Sequence, residues 1–238
     1  MKAMFRPKGL IVLAGAVLMI FAIYYVFNPK EKNYVAIGDF YAKGHTVDNL
    51  YDYGYKDYVK ELLSKNKRLR KYEDSYVKEE YTIEKLYDDI KNNDFMIKNS
   101  KTISIKKELR EADYITITIG LNDLFNELNI INIEELETKD NKDITKAINK
   151  CLKNYQVLLT EIKRYTKKDI IIVPYNIYNN VYYKKVYKTI KTWNIKVEKL
   201  AKENKVKTID TFSIYNKENI YPTYKIYKRQ AYKIYKLL

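Results

Sequence analysis

Cysteine and histidine are almost absent from this sequence, which contains one of each among its 238 residues, Cys151 and His45. A single cysteine excludes a disulfide bond within the chain. One cysteine and one histidine do not make up the ligand set of a zinc site, so we expect no metal site and no cofactor.

Acidic residues are also in short supply. The chain has 45 lysines and arginines against 30 aspartates and glutamates, which gives a net charge of +15. Long-range attraction would draw such a protein towards anionic partners such as nucleic acid, anionic lipid or an acidic wall polymer. The alternative is that lysine is simply the common surface residue of this chain.

The length suits one globular domain in addition to an anchor.

One uncharged stretch covers residues 9–27. Its 19 residues are close to the ~20 that a helix needs to cross the hydrocarbon core of a bilayer, and basic residues precede it at Lys2, Arg6 and Lys8. This pattern predicts a single-pass plasma-membrane protein in which residues 1–8 are cytoplasmic and the remaining chain faces outward.

The end of this stretch is bulky, with Tyr24, Tyr25 and Phe27, where a cleavage site needs small residues. We therefore expect an uncleaved signal-anchor, and the absence of cysteine there excludes a lipoprotein anchor. Residues 28–32 are predicted to be a short linker. Residues 33–238 are predicted to be the domain, held at the outer membrane surface.

Apolar runs and helical spacings alternate along this domain. We predict strands in the run that opens at Tyr34 and stops at Gly38, and at 72–77, 114–119, 169–173 and 206–209. We predict helices at 55–69, from 82 onward, and at 105–111, 143–165, 181–204 and 224–238, with a loop at 41–52. The alternation predicts a three-layer α/β/α sandwich with a mostly parallel sheet of about five strands.

Two predicted loops open with glycine directly after a strand. They are Gly38-Asp39-Phe40-Tyr41 and Gly120-Leu121-Asn122-Asp123. Ligands of parallel sheets bind at the carboxyl ends of the strands, so both loops lie where a cleft is expected. We interpret Asp39 as a hydrogen-bonding brace of its loop, and the side chains of Asn122 and Asp123 equally suit bonding to the local backbone of a turn.

These two loops, followed by Glu218-Asn219-Ile220-Tyr221-Pro222, resemble the blocks of the SGNH, or GDSL-type, esterase and lipase family. The resemblance covers about Asn33 to Leu238 and implies the flavodoxin-like fold of that family. In the family, a serine after Gly-Asp is the nucleophile, a glycine and an asparagine help to form the oxyanion hole, and a histidine oriented by an aspartate is the general base. The matching positions here are Phe40, Glu80, Asn122, Tyr221 and Glu218, of which only Asn122 is retained.

The replacements predict a loss of hydrolase activity. Phe40 has no hydroxyl, and the reference pKa of tyrosine, near 10, means that Tyr221 would hold its proton where an imidazole would accept one. Glu80 would place a carboxylate where the tetrahedral intermediate develops negative charge. We therefore interpret the chain as a pseudoenzyme.

The alternative is an active esterase, lipase or wall-polysaccharide deacylase that uses non-standard residues. His45 would be its base, and Tyr41 or Ser75 its nucleophile. The spacing of these residues does not favour such a site over an ordinary exposed loop histidine.

A cleft without catalytic residues can still bind a ligand. Phe40, Tyr41 and Tyr221 beside Asn122 and Glu80 are predicted to form an aromatic surface for a sugar or an acyl chain. The family's substrates make a cell-wall glycan or a lipid the expected ligand. The full set of expected cleft residues is Gly38, Asp39, Phe40, Tyr41, Gly120, Asn122, Asp123 and Tyr221.

The last predicted helix has a basic face that suits anionic lipid or an anionic wall polymer. The alternative is that the helix packs its apolar side on the sheet and its charges are simply solvated. Its basic residues are Lys225, Lys228, Arg229, Lys233 and Lys236. The outward topology makes nucleic acid an unexpected partner, and the sequence indicates no particular protein partner.

Overall fold

The computed structural model describes residues 11, 13–20, 30–46, 53–98, 100–177, 182–210 and 222–238. Within them, seven strands are β1 (Lys32–Gly38), β2 (Leu69–Val77), β3 (Phe95–Lys98), β4 (Lys101–Ser104), β5 (Tyr114–Thr118), β6 (Asp169–Ile172) and β7 (Lys207–Thr208). The helices are α1 (Phe40–Lys43), α2 (Tyr55–Lys65), α3 (Ile83–Asn92), α4 (Ile105–Glu111), α5 (Leu121–Leu128), α6 (Asn141–Tyr165), α7 (Lys184–Glu203) and α8 (Tyr224–Tyr235), with a 3-10 helix at Glu134–Thr138.

Five strands form one sheet in the order β2-β1-β5-β6-β7, and all of its pairings are parallel. Counted along this sheet alone, the order is 2-1-3-4-5, which is the flavodoxin-like arrangement. The central strands β1 and β5 are apolar and buried on both faces, as parallel strands between two helical layers must be.

Helices cover both faces of the sheet. Helix α2 packs against α8, while α3, α4, α5 and α7 all contact the long helix α6. Trp193 of α7 and Tyr155 of α6 stack in the core with ring centroids 6.5 Å apart. The predicted α/β/α architecture and its parallel five-stranded sheet are confirmed.

Four local features differ from the predictions. Residues 40–43 form a helix capped by Asp39, although a loop was predicted from residue 41 onward. The antiparallel hairpin of β3 and β4 and the helix α5 were not predicted. Helix α2 ends at Lys65 and strand β2 begins at Leu69, where the helix was predicted to continue to residue 69.

Of the predicted membrane segment 9–27, the structure describes residue 11 and residues 13–20, which are helical and exposed. None of the helices in the described ranges combines the length and the apolar character needed to span a bilayer. The predicted linker, residues 28–32, is described only from residue 30 onward.

Candidate functional site at the carboxyl edge of the sheet

The two glycine-led loops lie side by side. Strands β1 and β5 pair in parallel with Gly38 opposite Thr118, so both strands end at the same edge of the sheet. The Asp39 N–H donates to the Thr118 carbonyl at 3.0 Å. Gly38 cannot carry a side chain, because a Cβ would lie 2.5 Å from that carbonyl oxygen.

Asp39 is fully buried and caps helix α1. Its carboxylate accepts a hydrogen bond from the Tyr41 N–H at 3.0 Å and a short one from the Tyr175 hydroxyl. Burial raises the pKa of Asp39 to about 7, although these hydrogen bonds oppose the shift. Asp39 braces the loop, which is the structural role that the sequence indicates.

Tyr175 joins the two loops, and the sequence reasoning missed it. Its hydroxyl accepts the Leu121 N–H at 3.1 Å while it donates to Asp39. Asn194 fixes the backbone of Tyr175: its Oδ1 accepts the Tyr175 N–H at 3.2 Å, and its Nδ2 donates to the Tyr175 carbonyl at 2.6 Å. The available signal was position, because Tyr175 follows β6 almost directly and therefore lies at the same sheet edge.

Gly120 allows α7 to approach the second loop. It has a φ of +122°, a backbone conformation that residues with a side chain rarely adopt. A Cβ at this position would lie 2.3 Å from Cζ2 of Trp193. Glycine is required here both by the backbone and by the close contact.

Asn122 and Asp123 hold the segment between β2 and α3. The Asn122 Nδ2 donates to the carbonyl of Glu79 at 2.8 Å and to that of Tyr81 at 3.0 Å. Since an amide nitrogen has two hydrogens, both are engaged. The Asp123 carboxylate accepts the Ile83 N–H at 2.9 and 3.1 Å, and burial raises its pKa to about 6.

Phe40 occupies the first position after Asp39 and is half-buried. Its ring stacks on Phe125 of α5, with centroids 6.3 Å apart and planes at 21°. His45 meets Phe40 edge-on at 5.6 Å. His45 is thus half-buried, where an exposed loop residue was expected. We call Phe40, His45 and Phe125 the aromatic cluster.

Tyr41 is buried in the core, which corrects its predicted place on an aromatic surface. It is 2% exposed, because its ring packs edge-on against Tyr175 and Tyr227 in the core. Its hydroxyl accepts hydrogen bonds from the Asn176 N–H at 2.9 Å and the Gln230 Nε2 at 3.0 Å.

The other predicted positions are spread out. Ser75 lies within β2, and its buried Oγ has no hydrogen-bond partner among the described residues. Glu80 is exposed in the segment that follows β2, and its neighbour Glu79 forms an ion pair with Lys43 at 3.4 Å. Glu218 and Tyr221 lie outside the described residues.

The described residues include no group of histidine, cysteine and acidic side chains that could hold a metal ion. Cys151 is 1% exposed, and burial raises the pKa of its thiol to about 12. The described residues at this edge of the sheet are thus two loops fixed by hydrogen bonds, together with the aromatic cluster.

Residues 30–230 match the family model of the GDSL-like lipases and acylhydrolases, and the chain belongs to this family. The fold is similar to that of the lipase Lip_vut3 from a goat rumen metagenome, with 20% identity, a TM-score of 0.62 and coverage of 85% of this chain and 95% of that chain. It is also similar to the acetylxylan esterase Axe2 of Geobacillus stearothermophilus, with 15% identity, a TM-score of 0.55 and coverage of 87% and 92%. No curated protein sequence matches significantly.

Proposed function

We propose that this chain is a catalytically inactive member of the GDSL family that binds a ligand instead of hydrolysing it. The observation that carries the proposal is Phe40. It follows the Asp39 cap at the first position of α1, where the family has its serine, and its ring packs on Phe125. Acyl transfer on this scaffold needs an activated hydroxyl, which a phenyl ring cannot supply.

The hydrogen bonds of Asn122 support the same conclusion. The family resemblance gives this asparagine a role in the oxyanion hole, which requires a free N–H directed at the developing charge. Both hydrogens of its Nδ2 are instead bonded to the Glu79 and Tyr81 carbonyls. The retained asparagine then acts as a structural clasp.

A carbohydrate is the ligand class that we favour for the cleft, at the aromatic cluster. Phe40 and Phe125 are half-buried rings at the sheet edge, with the exposed Glu80 on the segment after β2. Aromatic faces with a few polar groups suit the apolar face of a sugar ring. One similar structure is an acetylxylan esterase, which makes acetylated xylan a reasonable first ligand to test.

We further propose that the protein acts at the cell envelope. The support is the uncharged stretch 9–27 with three basic residues before it, which favours a signal-anchor with the domain outside the plasma membrane. A fluorescent fusion after Leu238 that proved to be cytoplasmic would contradict this topology.

The test measures hydrolysis of short-chain acyl esters by the 238-residue chain beside the double variant Phe40→Ser, Tyr221→His. We expect the wild type to match a heat-denatured control. Turnover by the double variant alone would add support, because it would mean that the replaced residues block the reaction. Saturable turnover by the wild type would refute the proposal and would make His45 the next residue to substitute.

Ligand binding is measured separately by titrating acetylated xylooligosaccharides. Phe40→Ala should weaken binding by about tenfold, since one stacked sugar contributes roughly 1 to 1.5 kcal/mol. Phe95→Ala is the matched control, because Phe95 is 60% exposed and lies in the hairpin strand β3. Equal affinities of the two variants would remove the aromatic cluster from the binding site.

A further inference from the structure

A concave surface lies between α2 and α8 and shares no residue with the aromatic cluster. It is a groove of about 820 Å³. Its walls combine three tyrosines with three lysines: Tyr53, Tyr58, Tyr232, Lys60, Lys65 and Lys228. We call it the α2–α8 groove.

Two tyrosines of the groove pack against each other. Tyr53 and Tyr58 meet edge to face, with ring centroids 4.8 Å apart. Tyr232 is 53% exposed, so its side chain is accessible to a ligand. Burial raises the pKa of Tyr58, and a tyrosine hydroxyl, protonated at neutral pH, can donate a hydrogen bond.

The groove has an excess of positive charge. Within the described residues, Lys60, Lys65 and Lys228 make no ion pair. Glu61 is the one acid in the lining, and it accepts a hydrogen bond from the Tyr53 hydroxyl at 2.8 Å. The ammonium groups are therefore available to an anionic ligand.

The lysines also cover faces of tyrosine rings. The Lys228 Nζ lies 5.4 Å from the ring centre of Tyr58, and the Lys236 Nζ lies 4.7 Å from that of Tyr232. A nucleobase would have to displace these ammonium groups in order to stack on the covered faces. A ligand with phosphates and hydroxyls could use the ammonium and phenol groups as they stand.

We propose that the α2–α8 groove binds a polyanionic, hydroxyl-rich polymer whose units are polyols joined by phosphodiesters. The phosphates pair with Lys60, Lys65 and Lys228, and the polyol hydroxyls bond to the tyrosine hydroxyls. The lysines favour an anionic ligand, because their charge is complementary to phosphate. The tyrosine hydroxyls favour a ligand that also carries hydroxyl groups.

A second basic groove provides the matched control. It has a volume of about 810 Å³, and its lining contains five lysines, among them Lys142 and Lys146 on α6, but no aromatic residue. A polymer attracted only by net charge would use both grooves equally, because each offers several exposed ammonium groups at the protein surface.

The experiment titrates a fluorescent poly(glycerol phosphate) oligomer with the 238-residue chain in neutral detergent. Three variants are compared with the wild type: Lys60→Gln with Lys228→Gln, Lys142→Gln with Lys146→Gln, and Tyr232→Ala. All of these residues are exposed, so melting temperatures should match that of the wild type and confirm folding. Oligothymidylate of equal charge and neutral dextran serve as competitors.

We expect the Lys60 and Lys228 double variant to raise Kd by at least about tenfold, since each charge-assisted contact is worth about threefold or more. Tyr232→Ala should raise it by about threefold, and the Lys142 and Lys146 double variant by less than about twofold. Equal losses in the two double variants, tighter binding of oligothymidylate, or no binding at all would overturn the proposal. None of these outcomes bears on whether the cleft hydrolyses esters.

Discussion

Asp39 makes the stability of the fold depend on pH in a predictable direction. Its carboxyl is fully buried, and its pKa is raised to about 7 because burial disfavours the charged form. In the unfolded chain, the pKa returns to about 3.9. The native state therefore binds more protons than the unfolded state between these two values, and the free energy of unfolding falls as the pH rises from about 4 to about 7.

The magnitude follows from the two pKa values. The raised pKa lowers the free energy of unfolding by about 1.5 kcal/mol at pH 5 and by about 4 kcal/mol at pH 8, relative to a carboxyl whose pKa is the same in both states. The difference, about 2.5 kcal/mol, is absent from Asp39→Asn, which has no ionisable group. An asparagine oxygen can still accept the Tyr41 N–H, so the cap of α1 is retained.

The assay is urea unfolding of the wild type and Asp39→Asn at pH 5 and pH 8. From pH 5 to pH 8, the free energy of unfolding of Asp39→Asn should rise by about 2.5 kcal/mol relative to that of the wild type. For Asp123→Asn the corresponding rise should be only about 1.5 kcal/mol, because the pKa of Asp123 is raised to about 6. A difference between wild type and Asp39→Asn that does not change with pH would refute the reasoning, whatever its size.

Three further predictions concern residues around the same loops. Gly120→Ala should lower the free energy of unfolding, measured with denaturant, by about 3 kcal/mol or more, because Gly120 has a positive φ and lies against Trp193. In the double variant, Trp193→Leu should restore part of that loss, because it removes the close contact. Asn122→Ala should lower the free energy of unfolding by about 1 to 3 kcal/mol, through its two lost hydrogen bonds; an unchanged urea midpoint would argue against the clasp. Cys151 should resist iodoacetamide at pH 8 in the folded protein and react once urea unfolds it, and rapid labelling of the native protein would mean that the thiol is accessible.

The sequence predicts the central elements well because their signals are local. The run from Tyr34 to Gly38 is apolar throughout, which is typical of a strand buried on both faces, and it forms β1. Helix α4 was predicted with its observed bounds, Ile105–Glu111, and Ser104 accepts the Lys107 N–H as its cap. Such features depend on a few neighbouring residues.

The features that were missed depend on tertiary contacts. Strands β3 and β4 have four residues each, and the apolar side chains of Phe95 and Ile97 are exposed, so the hairpin does not alternate between buried apolar and exposed polar residues. The start of α5 has turn-forming residues, which obscured the helix. The bond between Tyr175 and Asp39 joins residues 136 positions apart, and no periodicity indicates such a partner.

The two glycine-led loops lie at the carboxyl edge of the sheet, but the orientation of their side chains was not predictable. Phe40 and Tyr41 are adjacent aromatic residues, and their types alone do not distinguish them. Helix α1 turns them apart, so that Phe40 meets Phe125 and Tyr41 enters the core beside Tyr227. The different surroundings of Phe40 and Tyr41 follow from the short helix α1, which was predicted as a loop.

The central claim is that this member of the family has no activated nucleophile, and labelling with a fluorophosphonate tests it without knowledge of the substrate. Fluorophosphonates react with hydroxyls that a neighbouring base activates. The account predicts no labelling of the 238-residue chain above that of the heat-denatured protein, under conditions that label an active serine esterase fully. Stoichiometric labelling of the folded chain would contradict it, and mass spectrometry of the adduct would identify the nucleophile.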